Sequence, residues 1–267
     1  MRIRATAALL TVAALALAGC AATPAEPGTT APPESSSTLD GELTIFAAAS
    51  LSGAFDQLAA DFEAANPDVV IQAISYDGSS VLATQLLEGA QADMFASADE
   101  RNMAKVTDAG LAEDAEAFAT NTLEIAVAPG NPAGIEGLDS LADGAASEPL
   151  TVVLCAAEVP CGNASKTLIE AAGITVTPAS EEQNVTAVLS KVKTGEADAG
   201  LVYRTDVIAA GSDVEGIEIA NADDAVNVYP LVPLADAPNP EVAAAFVEYV
   251  LSPAGQKVLT EFGFGAP

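Results

Sequence analysis

The chain contains no histidine. That one absence removes the side chain that most often serves as general base near neutral pH, the usual activator of a serine or cysteine nucleophile, and the commonest metal ligand. Cations are scarce as well: 9 Lys and Arg stand against 38 Asp and Glu, a formal charge of −29. A field of that sign repels nucleic acid and anionic membrane surfaces, so neither is an expected partner. It also repels small anions, so an anion site in this chain must hold its ligand through local hydrogen bonds. No heptad pattern or long hydrophobic edge stands out, which points to a monomer. The acidic clusters Asp56, Asp61 and Glu63, and Glu113, Asp114 and Glu116, lack the spacing of a calcium loop and read as solvated helical faces. No side chains are expected to ligate a metal cation directly, and no cofactor is expected.

The alanine-rich run from Ala5 to Ala18 is too short for a stable spanning helix and follows Arg2 and Arg4, so residues 1–19 read as a secretion signal. The run ends in Leu17-Ala18-Gly19-Cys20, which resembles a bacterial lipobox. That resemblance implies cleavage before Cys20, acylation of its sulfur and a lipid anchor on the extracytoplasmic face of the cell membrane. The alternative is a plain signal peptide ending nearby. Removing residues 1–19 takes away Arg2 and Arg4 and no acid, which moves the formal charge from −29 to −31. The remaining cations are Arg101, Lys105, Lys166, Lys191, Lys193, Arg204 and Lys257. Residues 20–39 carry Pro24, Pro27, Pro32, Pro33 and Ser35-Ser36-Ser37-Thr38, a composition that solvates an extended tether and packs no core.

From Asp40 onward strands and helices alternate. A strand-like run from Leu43 to Ala48 precedes a helix with Leu51, Phe55, Leu58 and Phe62 on one face. A second strand runs from Val69 to Ile74, a helix passes through Leu82, Leu86 and Leu87, and a third strand centres on Met94-Phe95-Ala96. This repetition predicts a mainly parallel sheet covered by helices. A second series, with strands at Leu123–Ala128, Leu150–Leu154 and Ala199–Tyr203, predicts a second lobe. The chain then returns through Val226–Leu234 to two helices opened by Asn239-Pro240 and Ser252-Pro253. The expected division is residues 41–121 and 228–267 for lobe I and 122–227 for lobe II, with crossings near Asn121 and Val228. Two such lobes place a ligand cleft between them.

Four strand-to-helix junctions carry small or hydroxyl residues: Ala47-Ala48-Ala49-Ser50, Gly78-Ser79-Ser80, Val159-Pro160-Cys161-Gly162 and Asn184-Val185-Thr186. Unpaired amides and the positive end of the helix dipole at such starts suit an anion. A serine before a helix can equally be only its N-cap.

Together these segments resemble the molybdate-binding proteins of ABC transporters. Thr44-Ile45-Phe46-Ala47-Ala48-Ala49-Ser50-Leu51 is similar to that family's opening strand and ligand loop, and Gly78 to Leu86 to its second ligand loop. Ala92-Asp93-Met94-Phe95-Ala96-Ser97-Ala98-Asp99, Glu158-Val159-Pro160-Cys161-Gly162, Asn184-Val185-Thr186, Gly200 to Asp206 and Glu261-Phe262-Gly263-Phe264 continue the likeness to the end of the chain. The resemblance implies a two-lobed type II periplasmic-binding-protein fold, no enzymatic activity, and delivery of molybdate, or tungstate, to the membrane subunits of an ABC permease. It further implies that Ser50 and Ser79 bind the oxyanion through hydroxyl and amide groups, Cys161 and Val185 through amides, and Tyr203 through its phenol, with no cation touching the ligand.

Cys161 stands where many family members have alanine, with Cys155 six positions earlier. An exported protein at that spacing suits a disulfide fixing the ligand loop, the alternative being two buried thiols. Tyr203 has an alternative role as a core aromatic. Arg204, read as continuing the strand of Tyr203, is expected to point to the opposite face. The competing functions are binding of sulfate or another oxyanion on the same fold, and a hydrolase using Cys161 or Ser50, for which no base is in view.

Overall fold

The computed structural model describes residues 39–267; the expected signal, Cys20 and the tether through residue 38 lie outside the described residues. The body opens with two short strands, β1 (Gly41–Leu43) and β2 (Ile45–Ala48), rather than one run. The break falls at Thr44, whose N–H donates to the buried carboxylate of Asp93 at 2.7 Å instead of to a neighbouring strand. β1 pairs in parallel with β3 (Val69–Ile71) as a separate two-stranded sheet. Helix α1 (Ser52–Ala65) lies between them and buries Phe55, Leu58 and Phe62.

The chain continues through β4 (Ser75–Asp77), α2 (Ser79–Leu87), β5 (Met94–Ala96), α3 (Glu100–Asp108) and β6 (Glu116–Asn121). A single residue, Thr122, links β6 to β7 (Leu123–Val127). Then follow β8 (Val152–Cys155), α4 (Pro160–Ala172), β9 (Ser180–Glu182), α5 (Val185–Lys193), β10 (Ala199–Tyr203), α6 (Arg204–Ala210) and β11 (Glu215–Glu218). β12 (Asn227–Pro233), α7 (Pro240–Leu251) and α8 (Pro253–Glu261) complete the fold.

One five-stranded sheet has the order β4-β2-β5-β12-β6 and the other β11-β7-β10-β8-β9. β2 runs parallel to β4 and β5, and β12 is antiparallel to β5 and β6. In the second sheet β10, β8 and β9 are parallel, and β7 is antiparallel to β10 and β11. Each sheet therefore has one reversed strand, and in each case it is the strand that receives the chain from the other sheet. The architecture is α/β: two lobes, each a mixed and mainly parallel sheet flanked by helices.

The pleat sorts the core. On β5, Met94 and Ala96 face the cluster built from α1, α7 and α8, whereas Phe95 faces the cluster that holds Leu82, Leu86 and Met103 of α2 and α3. Phe246 of α7 packs edge-on against Phe55 and Phe62. The second lobe has one core, with Ile125, Val153, Leu168, Val188 and Leu201 among its members.

Some helix starts are capped by the residue that precedes them and others are not. Asn184 and Ser252 accept hydrogen bonds from the amides of Ala187 and Gly255. The side chain of Asn239 caps nothing; its backbone N–H donates to Asp93 Oδ1 at 2.7 Å. Glu113 and Asp114 lie in the loop before β6 and Glu116 is the first residue of that strand, so none of the three is on a helix; the chain already turns there through a left-handed Asp114, φ 54°.

Candidate ligand-binding site

One cavity lies between the lobes, and residues 48–50, 77–79, 98, 159–161, 185 and 203 line it. Ser50, Ser79, Cys161, Val185 and Tyr203, the five residues singled out from the sequence, all meet there. The cavity is small, with about 10 Å³ open to the centre of a water molecule, so only a compact ligand fits.

Chain starts supply the donors. After β2 the chain enters a short 3-10 turn, Ala49–Leu51, with no side-chain cap. The N-termini of α2 and α4 also lack side-chain caps, and Pro160 begins α4 without an N–H of its own. At α5 the Asn184 cap takes the amide of Ala187, the third helical residue, and leaves that of Val185 uncapped by it. First-turn amides without intrahelical partners thus gather around one small space, with the positive ends of three helix dipoles.

The hydroxyls are arranged just as specifically. Ser79 is fully buried, and its Oγ accepts the Ala98 N–H at 2.9 Å. Ser50 Oγ lies 3.0 Å from the phenol of Tyr229. Tyr203 is 1% exposed; the Tyr229 phenol lies near its hydroxyl, but no group meets it in good hydrogen-bond geometry. Burial raises the Tyr203 pKa well above the ordinary phenol value, reinforced by Tyr229, Asp99 and Asp206, so it remains a proton donor. A buried hydroxyl without a partner costs stability unless a ligand takes it up.

No Lys or Arg lines the cavity. Asp77 is its one carboxylate, and Oδ1 of that group already accepts the Gly78 N–H and the Asn184 side-chain amide, each at 2.8 Å. The Asn184–Asp77 bond ties the lobes together on one side of the cavity. Arg101 of α3 makes a second tie, donating to the carbonyls of Ala157 and Glu158 at 3.1 and 2.9 Å.

The loop from Cys155 to Cys161 is closed by a disulfide, with the Cα atoms 5.7 Å apart. Gly162 permits this tight return: a β-carbon there would lie 1.9 Å from the carbonyl oxygen of Ala156.

Arg204 departs from the strand expectation. The strand ends at Tyr203, and Arg204 opens α6, where its N–H donates to Thr122 O at 2.9 Å. Its guanidinium faces Glu124 at 3.9 Å, away from the cavity. Among the described residues no group of three His, Cys, Asp or Glu side chains is placed to hold a metal ion. Reading the sequence missed Ala98, Asp77, Arg101 and Tyr229. Of these, Ala98 lies within residues 92–99, part of the sequence resemblance, and Asp77 directly precedes the Gly78 junction, whereas Arg101 and Tyr229 carry no local signature.

Residues 43–265 match the family described as bacterial extracellular solute-binding protein. The molybdate-binding protein ModA of Mycobacterium tuberculosis H37Rv is 44% identical over 227 residues, covering 84% of this chain and 85% of that protein. ModA of Escherichia coli K12 is 28% identical over 242 residues, covering 84% and 89%. Among solved structures, the periplasmic molybdate-binding protein of Azotobacter vinelandii superposes with a TM-score of 0.70 at 21% identity, over 84% of this chain and 99% of that one. The sulfate-binding protein SubI of M. tuberculosis H37Rv shares the fold at a TM-score of 0.72 and 17% identity, over 84% and 86%.

Proposed function

The chain belongs to the bacterial extracellular solute-binding protein family, and from that premise we propose that it is the molybdate-binding subunit of an ABC importer. The observation that carries this reading is the buried, unpartnered phenol of Tyr203, which lines a cavity rimmed by uncapped helix starts and free of cations. Such a site offers donors to a small, fully deprotonated oxyanion, and hydrogen bonds to a charged acceptor are the strong kind.

In this reading Ser50 and Ser79 donate through hydroxyl and amide, Cys161 and Val185 through amides, and Tyr203 through its phenol. Tungstate, nearly the same size, binds the same way. Lobe I, residues 41–121 and 228–267, and lobe II, residues 122–227, open about the crossings near Asn121 and Val228 and close on the anion. The role is stoichiometric capture and handover to the permease by a monomer, with no turnover. Cys20 carries the lipid anchor that keeps the protein at the outer face of the membrane.

Calorimetric titration of residues 40–267 with molybdate, tungstate, sulfate and phosphate at fixed pH and ionic strength tests this. One-to-one binding of molybdate and tungstate, with sulfate and phosphate far weaker, is the expected result. Tight sulfate binding keeps the site and changes the solute, and no binding of any oxyanion overturns the reading.

A further inference from the structure

Tyr229, on the strand that brings the chain back to lobe I, is outside the proposed ligand set yet fully buried beside it. Its hydroxyl lies 3.0 Å from Ser50 Oγ, although the two residues are 179 positions apart. Behind it stands Asn121, the last residue of β6. The Asn121 amide has one orientation, because Oδ1 accepts the Thr122 N–H at 3.1 Å. Nδ2 therefore points to Thr205 Oγ1 at 2.8 Å and to the Tyr229 hydroxyl at 3.4 Å.

An amide NH2 can only donate, so Tyr229 accepts from Asn121. Its own proton then needs an acceptor; the Tyr203 phenol is close by, but Ser50 Oγ, at 3.0 Å, is the neighbouring hydroxyl that meets hydrogen-bond geometry. If Ser50 donated to Tyr229 instead, the phenol would receive two protons and leave its own unpaired in the core, the costly arrangement. The chain of donors runs one way, from Asn121 to Tyr229 to Ser50, and leaves the Ser50 proton free for the cavity. Ser79 is treated alike by a different donor, since the Ala98 N–H occupies its oxygen.

We propose that Tyr229 is a positioning residue that fixes Ser50 as a pure hydrogen-bond donor toward the bound oxyanion. The proposal rests on the oxyanion reading of the cavity. It adds a residue that never touches the ligand but decides which way a ligand-binding hydroxyl faces. It also explains why the hydroxyl belongs on the strand next to the crossing: a donor tied to Asn121 is held where the chain passes between the two sheets.

The test is a double-mutant cycle read by molybdate titration calorimetry on the wild type, Tyr229→Phe, Ser50→Ala and the double variant. In the wild-type background Tyr229→Phe is expected to weaken binding about 5- to 20-fold, and in the Ser50→Ala background by less than about 2-fold. Equal losses in both backgrounds, or no loss in either, overturn the proposal, since a merely structural tyrosine acts independently of Ser50. If Tyr229→Phe does not fold, Asn121→Ala takes its place in the cycle, because it removes the donor that sets the direction; its loss must likewise vanish with Ser50→Ala. A wild type that binds no oxyanion overturns the underlying reading and this proposal together, whereas a binding wild type with an uncoupled cycle overturns this proposal alone.

Discussion

A β-carbon on Gly78 would lie 2.0 Å from the carbonyl oxygen of Gln183, across the line where the two lobes meet. Gly78 has φ −60°, a conformation open to any residue, so glycine is needed there for room alone. Gly78→Ala therefore leaves each lobe's core intact and holds the lobes apart where the Asn184–Asp77 bond now forms. The expected result is an unchanged or slightly higher unfolding temperature without ligand, with molybdate bound about 10- to 100-fold more weakly, the range set by overpacking a close contact. Calorimetry with thermal unfolding checks both halves. Wild-type affinity in this variant would mean that binding does not require the lobes to approach this closely.

Tyr203→Phe separates ligand binding from folding. The hydroxyl makes no well-formed hydrogen bond within the protein, so its removal gives up little in the ligand-free protein and relieves the cost of burying it. Ligand-free stability should stay level or rise, while molybdate affinity falls by about 10- to 100-fold, the worth of one hydrogen bond to a charged acceptor. A drop in stability with affinity preserved would return Tyr203 to the role of core aromatic.

The parts of this molecule that could be read in the sequence are those governed by neighbouring residues. Asn184 and Ser252 cap the helices that follow them, and the alternation of Met94, Phe95 and Ala96 sorts them to opposite faces of a sheet. What escaped depends on distant partners. Asn239 has the right type and place for a cap, yet its side chain caps nothing, and Asp93, 146 positions away, holds its backbone N–H. The same carboxylate binds Thr44 and divides the first strand in two. Arg204 follows a strand residue, yet α6 starts there, so a two-residue period no longer describes which way it points. At the cavity, the junction residues stood out because helix starts have a local signature. Tyr229 and Arg101 act across the fold and have none.

The Cys155–Cys161 bridge encloses the residues that shape one wall of the cavity, including Val159 and Pro160. Opening it releases the loop whose carbonyls Arg101 grips and whose Cys161 lines the cavity. A ring this short is worth about 2 kcal/mol on loop-closure entropy, or roughly 4–8 °C for a body of this size. The Cys155→Ala, Cys161→Ala variant is expected to lose that much thermal stability and about 10-fold in molybdate affinity, the loss of roughly one well-placed donor. Mass spectrometry of the purified wild type should find the pair oxidised. Free thiols there, or unchanged affinity in the variant, would show that the bridge does not hold the loop.

Asp206 gives the stability a pH dependence of definite sign. Its carboxylate is buried in α6 and accepts the Tyr203 N–H at 2.9 Å; burial raises its pKa from 3.8 to about 7, and that single hydrogen bond only partly offsets the shift. The nearby phenols of Tyr203 and Tyr229 both have raised pKa values and stay neutral through this range. Between about pH 4 and 7 the folded protein holds a proton that the unfolded chain releases, so stability falls as pH rises through that window and levels off above it. Asp206→Asn keeps an acceptor for the Tyr203 N–H and removes the buried charge. It should exceed the wild type at pH 8 by on the order of 2–4 kcal/mol, with the gap narrowing at pH 5 and closing near pH 4. Denaturant unfolding of both proteins across that range measures it. A gap that does not change with pH would mean that Asp206 keeps an ordinary carboxylate pKa in the folded protein.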